Sequence, residues 1–477
     1  MKHHIAAIVF SIAPACVAWP QSLPPAVLEM LAKARVPLEN VAVVVKEAGA
    51  KEAAMSLNAD KAMNPASVIK LVTTYAGLEL LGPAYLWKTE VMIAGDMRRG
   101  TLTGDLVLKG FGDPKLSVER FWLLLRQLRE RGLTTINGDL ILDRSFFESA
   151  AFDPARFDGE PQRAYNVGPD PLLINFKTVR FYFSPSVDNK LISISPDIRP
   201  AQLEIINHVK LIDGPCGEWR ERVTADIQTP APTKLKVTFS GNFSRRCGEK
   251  TWNLSLLDHA RFVGGVFASL WRDVGGTWNG AVKIAPAPAD ARLIATLESV
   301  PLADIIRDIN KFSNNVMARQ LFLTLSAELN KPPGNANDSV QIIREWLARK
   351  NIAAGELILE NGSGLSRDER ISAATLAQLL EAAWKSSVMP EFMSSLSLVG
   401  VDGTLRRRGK GDAIAGQAHI KTGSLNDVKA MAGYVLDAGG HRWVVVMIIN
   451  HPNAPLAQAA EETLLNAVYA SPAATAK

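Results

Sequence analysis

The chain has 477 residues, 47% hydrophobic and 21% charged, the balance of a globular protein rather than a disordered or fibrous one. One ordinary core cannot organise that length, so two or three domains are expected. Lys and Arg total 53 against 48 Asp and Glu, a net charge of +5, and no long basic run marks a nucleic-acid face.

The N-terminus has Lys2, a largely apolar stretch over 5–17, and the small residues Cys16 and Ala18 ahead of Trp19. This is the pattern of a secretory signal peptide cut after Ala18, too short to span a bilayer comfortably. Residues 1–18 are expected to be removed, leaving a periplasmic protein without a transmembrane span. The mature chain then keeps two cysteines, Cys216 and Cys247. One pair in an exported protein suggests a disulfide, with two buried thiols the alternative.

After the leader, 24–34 reads as a short helix and 41–45 as a strand with a hairpin partner at 53–57. The stretch Asn64-Pro-Ala-Ser-Val-Ile-Lys70 then opens a helical pattern that Gly82-Pro83 closes. Strands are expected at 89–93 and 104–108, around a charged turn at 96–100. A helix at 118–131 precedes Gly138-Asp-Leu-Ile-Leu142, which echoes Gly104-Asp-Leu-Val-Leu108. Residues 146–162 have no period and read as loop. Five β-like runs follow at 176–184, 190–195, 203–212, 222–227 and 234–240. Helix returns at 258–274, then a strand at 281–284, and Pro286-Ala-Pro288 reads as a boundary. The last block has helices at 302–310, 315–329, 340–350, 374–386 and 456–470, and strands at 429–436 and 443–449. The first and last blocks each look incomplete, so one interrupted α+β domain is expected. Residues 19–88 and 290–477 form it. Residues 89–170 and 258–289 form an inserted α+β unit, and 171–257 an inserted β-rich unit.

Three short motifs carry chemistry. Ser67 and Lys70 stand three apart, on one face of a helix. Serine needs a base to take its proton, and lysine serves only if burial or nearby positive charge lowers its pKa. Alone, a Ser-x-x-Lys tetrad is expected on the order of twice by chance in such a chain. Ser313-Asn314-Asn315 precedes a helix and alone reads as a cap. Lys421-Thr422-Gly423-Ser424 ends a β-like run, where a cation, hydroxyls and a glycine on an edge could bind a carboxylate.

Together and in this order, the three motifs resemble the signature of penicillin-binding proteins and serine β-lactamases. Ser67 and Ser313 lie 246 positions apart (313 − 67), more than a minimal β-lactamase needs. An insertion of that extent resembles the class C low-molecular-mass penicillin-binding proteins, the D-alanyl-D-alanine carboxypeptidase/endopeptidase family. Asn361-Gly-Ser-Gly-Leu-Ser-Arg367, Gly400-Val-Asp-Gly-Thr-Leu-Arg406 and Lys421-Thr-Gly-Ser-Leu-Asn426 agree with it. Asn361 replaces the usual Asp, Arg319 stands where Glu is common, and Ser424 replaces the commoner Thr. The phrase at 166–173 also departs from the family's.

The resemblance implies a penicillin-binding/β-lactamase-like fold, an antiparallel sheet with helices, interrupted by the insertion. It implies Ser67 as nucleophile, Lys70 as its base, and Ser313 with Lys421 relaying a proton to the leaving amine. Asn315 would hold a substrate amide, and Thr422, Gly423 and Ser424 would receive the terminal carboxylate. The backbone N–H groups of Ser67 and Ser424 would form the oxyanion hole. The implied partners are peptidoglycan peptides ending in D-Ala-D-Ala and inhibitory β-lactams, with a homodimer left open. The seven histidines make no His-Glu-x-x-His and no glycine loop cradles phosphate, so neither metal nor cofactor is expected. A β-lactamase and a non-catalytic wall-binding protein on the same fold are the rivals. Asp402 and Arg406, Arg407 and Arg408 lie near the third motif, where the arginines read as a solvated turn or a substrate-side cluster. Arg367 reads as ordering its loop.

Overall fold

The protein is described here from a computed structural model that covers residues 22–471 apart from 150, 187, 189, 190 and 232. The expected leader at 1–18 lies outside the described residues. Six strands build one antiparallel sheet: β1 (Val41–Glu47), β2 (Met55–Leu57), β3 (Ser397–Leu398), β4 (Ala418–Leu425), β5 (Val428–Leu436) and β6 (Arg442–Asn450). Their spatial order is β3-β4-β5-β6-β1-β2. The first block thus completes a sheet begun by the last, with Val43 opposite Met447.

Strands β1 and β6 are apolar on both sides because the sheet is covered on both faces. Val44, Val446 and Ile448 join one core, while Val43, Val445 and Met447 join another. Against the second face lies helix α1 (Pro25–Lys33), with Val27 and Leu31 buried. Against the first lie α2 (Lys70–Leu80), α3 (Leu302–Phe312) and α4 (Asn315–Leu329). Helix α3 buries Leu302, Ile305, Ile306 and Ile309, the i, i+3, i+4, i+7 stripe of an amphipathic helix. The closing helix α5 (Gln458–Tyr469) covers the second face beside α1.

The insertion begins with a hairpin of Lys88–Arg98 and Thr101–Gly110. Its turn is tighter than expected. The strand continues through Asp96, and only Arg99 and Gly100 turn, at φ +48° and +83°. A two-residue hairpin loop of type I′ takes positive φ at both positions, a twist that matches the flanking strands. Helix Val118–Glu130 leads to Leu140–Asp143, parallel to Thr101–Gly110, as the sequence echo predicts. The boundary expected at 289/290 falls one strand early. Arg292–Glu298 pairs with Lys88–Arg98 and closes the inserted sheet. It is an edge strand with Arg292 and Leu293 exposed, so its sequence lacks the inside–outside alternation that would have announced it.

Two three-stranded sheets form the β-rich part. Its aromatics do not make a separate core. Phe181 and Phe239 belong to one buried cluster with Leu108 and Phe121 of the inserted sheet and its helix, and Phe267 of helix His259–Asp273. The two inserted units expected from the sequence therefore share one interior. The Cys216–Cys247 disulfide ties two loops of the β-rich part across a separation of 31 residues.

Closing a loop of that length restricts the unfolded chain by roughly 3–4 kcal/mol. Reduction, or the Cys216→Ala/Cys247→Ala pair, should lower the unfolding free energy of the insertion by about that amount. The six-stranded sheet, with its own cores, should be spared. Denaturant unfolding with and without reductant, followed by near-ultraviolet dichroism, reads this. Equal midpoints would contradict it.

Candidate active site

The serine turn is held from both sides. Asn64 and Asn450, the last residue of β6, clasp each other: Asn64 N–H donates to Asn450 Oδ1 at 2.7 Å, and Asn450 Nδ2 donates to Asn64 O at 2.9 Å. Asn64 Oδ1 also accepts the N–H of Ala66 at 2.8 Å. Ala66 adopts φ +45°, which an alanine rarely does without such support. The chain then makes a 3₁₀ turn over Ala66–Ile69 and enters α2 at Lys70. Ser67 sits half-buried on that turn, and Lys70 is fully buried behind it.

Two glycines allow the surrounding backbone to close on this turn. A Cβ at Gly364 would lie 2.1 Å from Ala66 O, and one at Gly423 would lie 2.6 Å from Pro65 O. No other residue fits such approaches. Strand β4 thus passes along Ser67 with its motif, and the loop at 360–366 passes on the other side.

Lys70 Nζ lies 3.0 Å from Ser67 Oγ and 2.7 Å from Asn315 Oδ1, and it also bonds the carbonyl of Ser363. Burial, then the nearby Lys421 charge, hold Lys70 well below the usual lysine range. A neutral amine has two N–H groups and one lone pair. The carbonyl oxygens of Asn315 and Ser363 can only accept, so they take both N–H groups. The lone pair is left facing Ser67, whose hydroxyl can donate to it.

The second motif folds around a left-handed residue. Ser313 ends α3 at φ +56°, and Asn314 caps α4 by accepting from Met317 N–H at 3.1 Å. The cap is Asn314, which frees Ser313 and Asn315 for the site. Lys421 Nζ donates to Ser313 Oγ at 2.9 Å and to Thr422 O at 2.7 Å. Burial brings the Lys421 pKa down to about 7. Thr422 Oγ1 meets Thr404 Oγ1 at 3.0 Å, and Ser424 stands exposed farther along β4. The eight residues singled out by the three motifs therefore come to one place.

The remaining candidates separate. Asp402 pairs with Lys311 at 2.5 Å, and Arg408 pairs with Glu461 and Glu462 of α5 at 2.9 and 2.8 Å. Arg367 pairs with Asp427 at 3.2 Å and lies over the Phe157 ring.

Two contributors were missed. Glu369 is fully buried, and burial raises its pKa. Its Oε1 accepts the N–H groups of Glu360, Asn361 and Gly362 at 3.2, 3.1 and 3.0 Å, which fixes the loop carrying Ser363. It lies in the charged run Arg367-Asp368-Glu369-Arg370, where nothing in the local sequence marks one acid as buried. The other is the insertion. Asn315 Nδ2 donates to Tyr165 O at 3.2 Å, Arg319 Nη1 donates to Val167 O at 2.9 Å, and Gln320 Oε1 accepts from Asp170 N–H at 2.9 Å. Helix α4 thus docks the inserted segment against the lysine pocket. Beside that contact a cavity of about 730 Å³ is lined by groups of both signs, among them Arg156, Arg319, Asp153 and Glu360.

A model of the D-Ala-D-Ala carboxypeptidase 3 (S13) family matches residues 24–469. The chain is 26% identical over 415 residues to D-alanyl-D-alanine carboxypeptidase DacB of Haemophilus influenzae, covering 86% of this chain and 85% of the relative. It is 27% identical over 430 residues to a D-alanyl-D-alanine carboxypeptidase of Actinomadura sp., covering 87% and 79%. The crystal structure of penicillin binding protein 4 from Haemophilus influenzae superposes with a TM-score of 0.75 at 25% identity, over 93% of this chain and 99% of that one. A further structure of that protein holds a β-lactam.

Removing the Glu369 carboxylate should leave three N–H groups without their acceptor, that of Gly362 buried and those of Glu360 and Asn361 partly so, and a buried one costs ~1–3 kcal/mol when left unpaired. Glu369→Ala should therefore lose about 1–3 kcal/mol of stability and slow acylation of Ser67 about tenfold or more. Glu369→Gln keeps an acceptor oxygen and should lose less of both. Thermal unfolding and stopped-flow acylation by a penicillin check this, and equal effects of the two variants would contradict the loop-holding role.

Proposed function

Because the chain belongs to the D-Ala-D-Ala carboxypeptidase 3 (S13) family, we propose that it is a serine D-Ala-D-Ala carboxypeptidase and/or endopeptidase of peptidoglycan, covalently inhibited by β-lactams. The observation that carries this reading is Lys70: buried, donating to the carbonyl oxygens of Asn315 and Ser363, and 3.0 Å from Ser67 Oγ. Ser67 Oγ attacks the carbonyl of the penultimate D-alanine, and its proton passes to Lys70. The C–N bond breaks, an ester forms on Ser67, and the departing amine takes a proton through Ser313. Water then cleaves the ester and restores Ser67. General acid–base transfer by positioned groups of this kind contributes ~10²–10⁴-fold.

Asn315 holds the substrate amide. Thr422 and Ser424 receive the terminal carboxylate, with the Lys421 charge behind them. The N–H groups of Ser67 and Ser424 stabilise the oxyanion. The close passage of β4 at Gly423, where a Cβ would lie 3.0 Å from Ser67 N, supports that assignment. The substrate is a wall peptide, so the protein works outside the cytoplasm, and we assign it to the periplasm. Among the described residues no helix is long and apolar enough to cross a membrane.

Fluorescent penicillin should label the wild type and fail to label Ser67→Ala on a denaturing gel. Lys70→Ala should cut D-alanine release by about 10² or more. Labelling of a folded Ser67→Ala variant would remove Ser67 as nucleophile.

The pH profile follows from the two lysines. Below its lowered pKa, Lys70 is protonated and cannot accept the serine proton. Above about 7, Lys421 loses the charge that attracts a carboxylate. The second-order acylation constant for an anionic penicillin should thus rise on the acid side and fall above about pH 7, reporting the free enzyme. Lys421→Arg keeps its charge and should remove the alkaline fall. A wild-type profile flat to about pH 9 would contradict this.

A further inference from the structure

A second cavity, of about 660 Å³, opens beside the third motif. Its wall includes Arg307, Lys311, Phe312, Thr404, Arg406 and Arg407. Thr404 is the connection to the chemistry, because its hydroxyl meets that of Thr422 at 3.0 Å.

The wall is firmly built. Asp402 Oδ1 accepts the N–H of Leu398 at 2.8 Å, and Ser397 Oγ accepts the N–H of Thr404 at 3.3 Å. A Cβ at Gly403 would lie 2.3 Å from Ser397 Oγ and 2.7 Å from Lys311 O. The charges do not cancel. Of the two carboxylates in the wall, Asp402 pairs with Lys311 of the same wall at 2.5 Å and Asp308 with Lys115 outside it at 2.5 Å, so neither neutralises an arginine. Arg307 contributes to the field at Asp402, but among the described residues no ion pair engages Arg307, Arg406 or Arg407. All three are exposed, and so is the Phe312 ring, which immediately precedes Ser313. Arg408, the next arginine in the run, is spent on α5. The remaining three offer unpaired forks for carboxylates next to an apolar surface.

The position says which carboxylates. Thr422 receives the carboxylate of the residue beyond the scissile bond, on the reading given under Proposed function, and this inference rests on that reading. When that residue is a lone D-alanine, its charge is satisfied there and nothing extends farther. When the bond is a cross-link, the departing fragment is a second stem peptide with further carboxylates. These must leave past Thr422, whose hydroxyl touches Thr404 of the cavity wall. We propose that Arg307, Arg406 and Arg407 form an anion subsite for the departing stem peptide, so that the protein binds cross-linked peptides through charge that a monomeric pentapeptide does not present.

The test compares three reactions of the full mature protein. They are D-alanine release from a monomeric pentapeptide muropeptide, cleavage of a cross-linked dimer, and acylation by fluorescent penicillin. In Arg307→Ala/Arg406→Ala/Arg407→Ala, kcat/KM for the dimer should fall about tenfold, while the other two reactions stay within about twofold. Arg406→Glu/Arg407→Glu should lower dimer cleavage further. Added salt should weaken dimer cleavage by the wild type more than by the alanine variant, because exposed charges are screened. Equal losses on monomer and dimer, or no loss on the dimer, would overturn the subsite. So would a wild type that releases D-alanine but leaves the dimer intact. A folded wild type that penicillin does not acylate would instead overturn the underlying acyl-enzyme reading.

Discussion

A lysine amine takes a proton from serine at neutral pH only where its own ammonium form is made unfavourable, and the structure around Ser67 maintains that condition. Lys70 begins α2 inside the apolar core shared by α2, α3 and α4, where an ammonium loses its hydration. Lys421 places a second nitrogen in the same pocket, and its charge adds to the effect. Glu369 pulls the other way, its charge favoured by three backbone N–H groups and disfavoured by burial, but its effect on Lys70 is smaller than those of burial and Lys421. The balance depends on burial, so the site cannot be built from a loop on a surface.

That burial is achieved by backbone packing. Ala66 is held left-handed, Gly364 and Gly423 let two other segments press against its turn, and the Asn64–Asn450 clasp closes the remaining side. These contacts join the sheet, the serine turn and the 360–366 loop, segments distant in sequence. Ser67, the proposed nucleophile, is therefore placed by packed backbone on several sides, which is what efficient positioning requires. The strain at Ala66 is borne by neighbours that each do another task.

Some of this was legible in the sequence and some was not. Strands β5 and β6, and the helices at Leu302–Phe312 and Asn315–Leu329, showed clear apolar patterns because both faces of the sheet, one stripe of the first helix and nearly the whole circumference of the second are buried. The three motifs were legible because each is short and local, and their order carried the family resemblance. Arg292–Glu298 was not legible, since an edge strand with exposed Leu293 has no inside–outside rhythm. Neither was the turn at Asn175, Phe176 and Lys177, three consecutive residues at φ +47°, +54° and +50° with no glycine among them. Phe176 looked like the start of a strand. Glu369 was hidden for a different reason: burial of one acid in a charged run is decided by what packs over it.

The carboxamide of Asn315 has two ends, one on Lys70 and one on the carbonyl of Tyr165. The insertion is thereby joined to Lys70, the proposed proton acceptor, through a single side chain. Thermodynamic linkage follows. Any excursion that lifts the segment around Tyr165 from α4 also loosens the amide that keeps Lys70 pointed at Ser67. Conversely, an acylated serine that tightens this pocket would slow hydrogen exchange in the insertion, far from the bond being broken. On the proposed mechanism the long insertion belongs to the catalytic apparatus, and trimming the chain to the size of a minimal β-lactamase would remove the Tyr165 carbonyl that holds one end of the Asn315 carboxamide.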